Sequence, residues 1–363
     1  MIRELLITEK PDGMIIFTDP RQFIWLWEME DEIHQVCPVA YWHVWDNDPY
    51  PAFNQSFYES TDLINCLSKK TYDLVKPEFP EKTNYIPHSF PKDVFFPIEK
   101  VQLNNLALQN FGERAGWFKV LWINRNATRK VPNDVLNCFN SFLTELEKKH
   151  GHRNAMLVMH TNPKDPEGPD LINVTETLRL QNNVVFSADA IDFEKMNILQ
   201  NLCDTCINIS KNEGFGLMTL SMMQVGKPII ALCTGGETSQ VIDPVDGSEH
   251  GAAIKPCKRL LVGSQLVPYI YEDYAADNDV VEALMKVYEL VRDQDRKEAM
   301  SQKVMSFVDR EFSYDKMVSE WDKTLDKLLV TWHAKQKENL SNWKFVPIDP
   351  HLTTEEENEK VKG

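Results

Sequence analysis

Asn212-Glu-Gly-Phe-Gly-Leu217 opens a short apolar run that stops at Gly226-Lys-Pro228, and the strand-like Pro228-Ile-Ile-Ala-Leu232 and the pair Gly235-Gly236 follow. Glycine turn, helix, buried strand and second glycine turn is the order found where a parallel sheet hands its chain to a helix. Working outward, FKVLWINR begins at Phe118 as a strand candidate. Residues 132–149 follow, with Pro132 at the first helical position and Val135, Phe139, Phe142, Leu143 and Leu146 on one face. AMLVMH, NVVFS, a helix near 193–202, DTCINIS and a helix near 217–225 come next. Strands alternating with helices predict an α/β domain built on a mostly parallel sheet.

Upstream, GMIIFTD, VCPVAYWHVWD and STDLINCLS predict buried strands, with helices over 21–33 and 53–60 between them. Tyr85-Ile-Pro-His-Ser-Phe-Pro91 and Pro97 punctuate a crossing and place a boundary there. After about residue 277 the pattern is helical to about 335, and TTEEENEKVKG has the composition of a disordered tail.

Composition limits the function classes. The 363 residues are enough for two domains, and 42% apolar residues can build a core in each. A net charge of −16 argues against a broad nucleic-acid or anionic-membrane surface, so a phosphate must be held locally. No run approaches 18 apolar residues and the start lacks a signal-peptide order, so a cytoplasmic protein without a transmembrane segment is expected. Seven cysteines, an odd number in a long chain, are expected to be reduced thiols.

Gly214 and Gly216 lack a Cβ and let the backbone and the positive end of the following helix approach an anion, of which diphosphate is the obvious guest. Glu213 cannot hold a diphosphate itself and suits sugar hydroxyls as an acceptor. Arg125 and Lys130, just after the first strand of the same domain, are the candidate balancing cations.

Glu213-Gly-Phe-Gly-Leu217, Gly226-Lys-Pro-Ile-Ile230, Thr234-Gly-Gly236 and Asn124-Arg125 with Lys130, in that arrangement, resemble the retaining nucleotide-sugar glycosyltransferases of GT-B fold, the glycosyltransferase group 1 family. The crossing from Ile86 to Pro97 and the ending Ser306-Phe-Val, Phe312-Ser-Tyr314 are similar to the same family. The resemblance implies two Rossmann-like domains facing a cleft. The first, residues 1–97, would be incomplete and on the acceptor side; residues 98–312 would bind the donor; 313–335 would pack back on the first domain, and 336–363 would be a tail.

It further implies that Arg125 and Lys130 stabilise the departing nucleoside diphosphate and that Glu213 contacts the donor sugar. Gly214, Phe215, Gly216, Leu217, Gly235 and Gly236 would touch phosphate or sugar, and His43 would reach the sugar from across the cleft. The donor is then a substrate and no cofactor or metal is called for. The acceptor would be a glycan, lipid or protein hydroxyl.

Two departures from the family pattern stand out. Its second glutamate, which binds the ribose, is here Ser221, a loss of roughly 1.5–3 kcal/mol if a charge-assisted pair becomes one neutral bond. The opening strand and glycine-rich loop of a first domain are not found, and roughly 70–90 residues are wanting against a usual half of 150–200. These departures leave open a degenerate binding or scaffold subunit and a completing partner subunit. A sugar-nucleotide epimerase is a further alternative. Asp46-Asn-Asp48 has the form of a metal-binding Asp-x-Asp, but its flanking prolines fit a surface turn better. Cys203 and Cys206 fit buried thiols, Trp25, Trp27, Trp42 and Trp45 fit packing as well as sugar stacking, and His150 and His152 suit a helix end.

Overall fold

A computed structural model describes residues 2–17 and 19–342. The amino-terminal part holds four strands, β1 (Met14–Phe17), β2 (Val39–His43), β3 (Leu63–Cys66) and β4 (Thr83–Tyr85), all parallel and neighbouring in sequence order. Strand side chains alternate between faces. Ile16, Val39, Tyr41, Ile64 and Cys66 therefore share one core with Leu6, Leu26, Trp27, Ile33, Tyr58 and Val75 of the preceding and connecting helices. Ala40 and Leu63, on the other face, pack against Leu328, Trp321 and Leu325 of the last helix, Tyr314–Asn342.

The second sheet has six parallel strands: β5 (Phe118–Ile123), β6 (Ala155–His160), β7 (Val184–Ser187), β8 (Thr205–Asn208), β9 (Ile229–Leu232) and β10 (Gly251–Ile254). Their order is β10-β9-β8-β5-β6-β7, the doubly wound arrangement whose order reverses between β5 and β8. Helices cover both faces. Val120 and Trp122 face Phe139 and Phe142 of the helix Pro132–His150, while Leu121 faces Leu220, Met222 and Phe307. Burial on both faces is why the inner strands β5, β6, β8 and β9 are mostly apolar. At about 1.5–3 kcal/mol for each fully buried large side chain, this double layer supplies most of the domain's hydrophobic stabilisation.

Two expectations change in detail, and one element was not expected. Residues 21–33 are not one helix: Asp19 caps a 3-10 turn at Pro20–Phe23, followed by the separate helices Ile24–Trp27 and Glu30–His34. The last helix continues to Asn342 rather than stopping at 335. An antiparallel ribbon, β11 (Lys258–Val262) with β12 (Ile270–Tyr274), projects from the second domain. The acidic tail lies outside the described residues. Among the described residues, all seven cysteines are unpaired and no helix is long and apolar enough to cross a membrane.

Candidate functional site

The reversal of strand order brings together the loops that leave the carboxyl ends of β5 and β8. The β5 loop ends in the turn Thr128–Lys130 with Val131 left-handed, φ 45°, before Pro132 starts its helix. Arg129 O accepts the Lys211 amide at 3.0 Å, and the Arg129 guanidinium bonds the Asn212 carbonyl. Lys130 Nζ is ion-paired with Glu213, and both side chains are largely buried.

Burial by itself would raise the Glu213 pKa, but Lys130 and Arg129 outweigh it and hold the carboxyl below its ordinary value. Glu237, fully buried immediately after Gly235-Gly236, goes the other way. Burial first, then the Glu213 charge, pushes it up to about 8. Asn208 Nδ2 donates to Glu237 Oε1 at 3.0 Å, and Glu237 Oε2 has no partner. The two neighbouring carboxyls are therefore pushed in opposite directions, Glu213 down by its cations and Glu237 up by burial and by Glu213.

Behind them the glycine turn is pinned. Gly216 has φ 94°, and a Cβ there would run into Thr219 Oγ1. The Thr219 hydroxyl lies 2.8 Å from Gly216 O and 2.6 Å from Gln240 Oε1, while Gln240 Nε2 donates to Phe215 O at 2.6 Å. Gly236 N donates to Glu213 O at 2.9 Å, which joins the two glycine turns. At Gly235 a Cβ would overlap both Glu213 O and Asp46 O.

The first domain closes on this turn. Asp46, three residues past β2, lies against Gly214 and 3.5 Å from Arg129, and burial raises its pKa against the pull of that cation. His88 of the interdomain crossing sets its ring edge-on to Phe215 at 5.1 Å, and burial lowers its pKa to about 4. Asn47 Nδ2 donates to Asp273 Oδ2 on the β11–β12 ribbon at 2.7 Å.

Residues 111–260 match the family model described as glycosyl transferases group 1. That segment is a group 1 glycosyltransferase domain. No curated protein sequence matches the chain. Among solved structures, the chain is similar to a glycosyltransferase from Rickettsia africae, with a TM-score of 0.66 and 14% identity over 90% of this chain and 79% of that one. Sucrose-phosphate synthase from Thermosynechococcus elongatus gives 0.66 and 14% over 91% and 77%. Anabaena HepE, solved in complex with UDP-glucose, gives 0.65 and 14% over 90% and 82%. The shared fold is the GT-B glycosyltransferase architecture.

The group 1 domain gathers Lys130, Glu213, Gly214, Phe215, Gly216, Gly235 and Gly236 at one crevice, with Leu217 half exposed at the start of its helix. Three expected site residues lie elsewhere. Arg125 is exposed and bonds Asp165 at 3.0 Å and Glu167 at 2.9 Å. Its neighbour Asn126 turns inward to bond Pro163 O and Pro169 O, which sends Arg125 outward, and Arg129 takes the place beside Lys130.

His43 does not reach the cleft. It shares the buried face of β2 with Tyr41, its ring nitrogens bond the Tyr41 and Tyr58 hydroxyls at 2.8 and 2.6 Å, and burial lowers its pKa to about 3. The first-domain carboxylate that lies against the glycine turn is Asp46, beside Val44. Ser221 is buried, donating to Met218 O at 2.9 Å and accepting from Gln200 Nε2 at 2.7 Å, so its hydroxyl is already used.

Asp46 and Asp48 point apart, Asp46 to the glycine turn and Asp48 to Lys70 and Arg259, which is not a shared metal site. Sequence reasoning weighed Asp46 only for metal and missed Arg129, Asn208 and Glu237. The adjacency of Arg129 to Lys130 and of Glu237 to Gly236 was the available signal. Of the four tryptophans, Trp27 and Trp45 are core, Trp42 packs on His88 and Trp321, and Trp25 is exposed.

Proposed function

We propose that the chain transfers a hexose from a nucleotide-sugar to a hydroxyl of a glycan, lipid or protein with retention of configuration. The observation that carries this reading is the Lys130–Glu213 pair set into a glycine turn at the switch point of a group 1 domain. Lys130 and Arg129 are the cations that a donor diphosphate meets, and they stabilise the charge that develops on the departing nucleoside diphosphate. Glu213, kept ionised, accepts hydrogen bonds from the donor sugar hydroxyls. The acceptor oxygen bonds to the anomeric carbon as the bond to the diphosphate oxygen breaks, and the acceptor proton passes to the departing diphosphate. The donor is a substrate, and with two cations at the leaving group this reading uses neither cofactor nor metal. HepE's UDP-glucose makes uridine the base we favour, and the unpaired cysteines favour the cytoplasm.

A second reading, a donor-binding subunit without turnover completed by a partner chain, is favoured by the burial of Ser221 against Gln200. Calorimetry with UDP, GDP, ADP and their hexose conjugates tests both. UDP is expected to bind, and Lys130→Met is expected to weaken UDP at least tenfold, about 1.4 kcal/mol, with little effect on uridine. Equal weakening of UDP and uridine sinks the diphosphate role. UDP-hexose binding without hydrolysis or transfer to any acceptor favours the second reading.

A further inference from the structure

Between the two domains, beside the glycine turns, lies a cavity of about 290 Å³. Its first-domain wall is Asn47, in the loop after β2, and the helix Lys69–Val75; its second-domain wall carries Gly235, Thr238 and Ser239. Lys69, Lys70 and Arg259 line it, Lys69 ion-paired with the lining Asp73 and the other two cations converging on Asp48.

The cations are held rather than loose. Asp48 reaches Lys70 at 2.6 Å and Arg259 at 3.0 Å, bringing the two heads together from one side, and Asp273 fixes Arg259 through Nε at 2.7 Å. These bonds together with the Arg259 Nη2 bond to Asp273 use three of the five guanidinium donors. The Thr238 and Ser239 side chains add hydroxyl groups to the opposite wall. Gly235, which borders the cavity, is packed on the Glu213 carbonyl, so the cavity opens beside the proposed donor sugar position.

We propose that this cavity receives the acceptor, and that the acceptor is an anionic sugar carrying a carboxylate or a phosphate beside the hydroxyl that is glycosylated. The inference rests on the donor reading above. Lys70 and Arg259 read the anion, and the hydroxyls on the Gly235 side orient the sugar ring.

Saturation-transfer NMR with methyl glucuronide, glucose 6-phosphate and neutral methyl glucoside, each with and without UDP, tests it. At least one anionic probe is expected to bind where methyl glucoside does not, with affinity falling severalfold between 50 and 300 mM salt. Which of the two binds separates a uronate acceptor from a sugar phosphate. Lys70→Gln and Arg259→Gln, each checked for folding by thermal melting, are expected to weaken the anionic probe at least fivefold. Equal binding of methyl glucoside, indifference to salt, or full binding by both variants overturns the inference. Calorimetry with UDP on the same samples reports separately on the donor reading: UDP bound with no preference for anionic probes sinks only the acceptor inference.

Discussion

Glu213 and Glu237 share Asn208 as a neighbour, yet one is held ionised and the other is pushed up to about 8. The difference is the company each keeps: Glu213 has Lys130, and Glu237 has burial and the charge of Glu213. A carboxyl whose folded pKa lies above its unfolded value contributes fully below the unfolded value, near 4.5, and loses that contribution as pH rises through about 8. Glu237→Gln keeps the shape and removes the titration. The variant is expected to match the native chain near pH 4.5 and to melt higher at pH 8, and parallel melting curves across that range would rule out a protonated Glu237. His43, held neutral between two tyrosines, belongs to packing: His43→Phe is expected to lower the melting temperature while leaving UDP affinity unchanged. A tenfold loss of UDP affinity without loss of stability would return it to the site. At this scale the sequence named Lys130, Glu213 and the glycines because their chemistry is specific. It could not choose between Arg125 and Arg129, because that choice depends on which way Asn126 turns.

The elements were more legible than the residues. Strands β5, β6, β8 and β9 are short, mostly apolar runs buried on both faces, and such runs stand out along the chain. The helix Pro132–His150 declared its face through Val135, Phe139, Phe142, Leu143 and Leu146, all of which are buried. The β11–β12 ribbon gave no comparable signal, because most of β11 is exposed and there is no core face for its side chains to mark. The break in 21–33 was missed because its helices are four and five residues long, too short for a 3.6-residue period to appear. The turn before Leu217–Gln224 rests on a single backbone angle. Gly216→Ala places a Cβ at φ 94° and against Thr219, and a loss of about 1–2 kcal/mol with weaker UDP binding is expected. Thermal melting and calorimetry check both effects, and an unstrained alanine would show that the turn adapts.

The two domains are tied at two places. The helix Tyr314–Asn342 lies across the first sheet through Leu328, Trp321 and Leu325, and at the cleft Asp273 gathers Arg259, Asn47 and Thr234. Burial raises the Asp273 pKa, but the bonds from Arg259, Asn47 and Thr234 outweigh it and the value lies below 3.8. Its contribution is therefore present above the unfolded pKa, near 3.8, and lost only as pH falls through the depressed folded value, so the clasp holds throughout the neutral range. Asp273→Ala leaves Asn47 and Thr234 without that acceptor and leaves Arg259 held by Asp48. With the Arg259 head partly open to solvent, a cost of about 2–3 kcal/mol is expected, below that of breaking a fully buried pair. Because Asn47 belongs to the first domain and Asp273 to the second, the loss should appear as an opening as well as a destabilisation. Small-angle scattering is expected to give a larger radius of gyration for the variant, and limited proteolysis should cut the crossing between residues 86 and 97 faster. Saturating UDP should reverse part of both changes, since a ligand that touches both walls favours the closed arrangement in proportion to its preference for it. An unchanged radius and cleavage rate, at the expected loss of stability, would mean that the last helix alone fixes the cleft and that the ribbon serves the cavity beside it rather than closure.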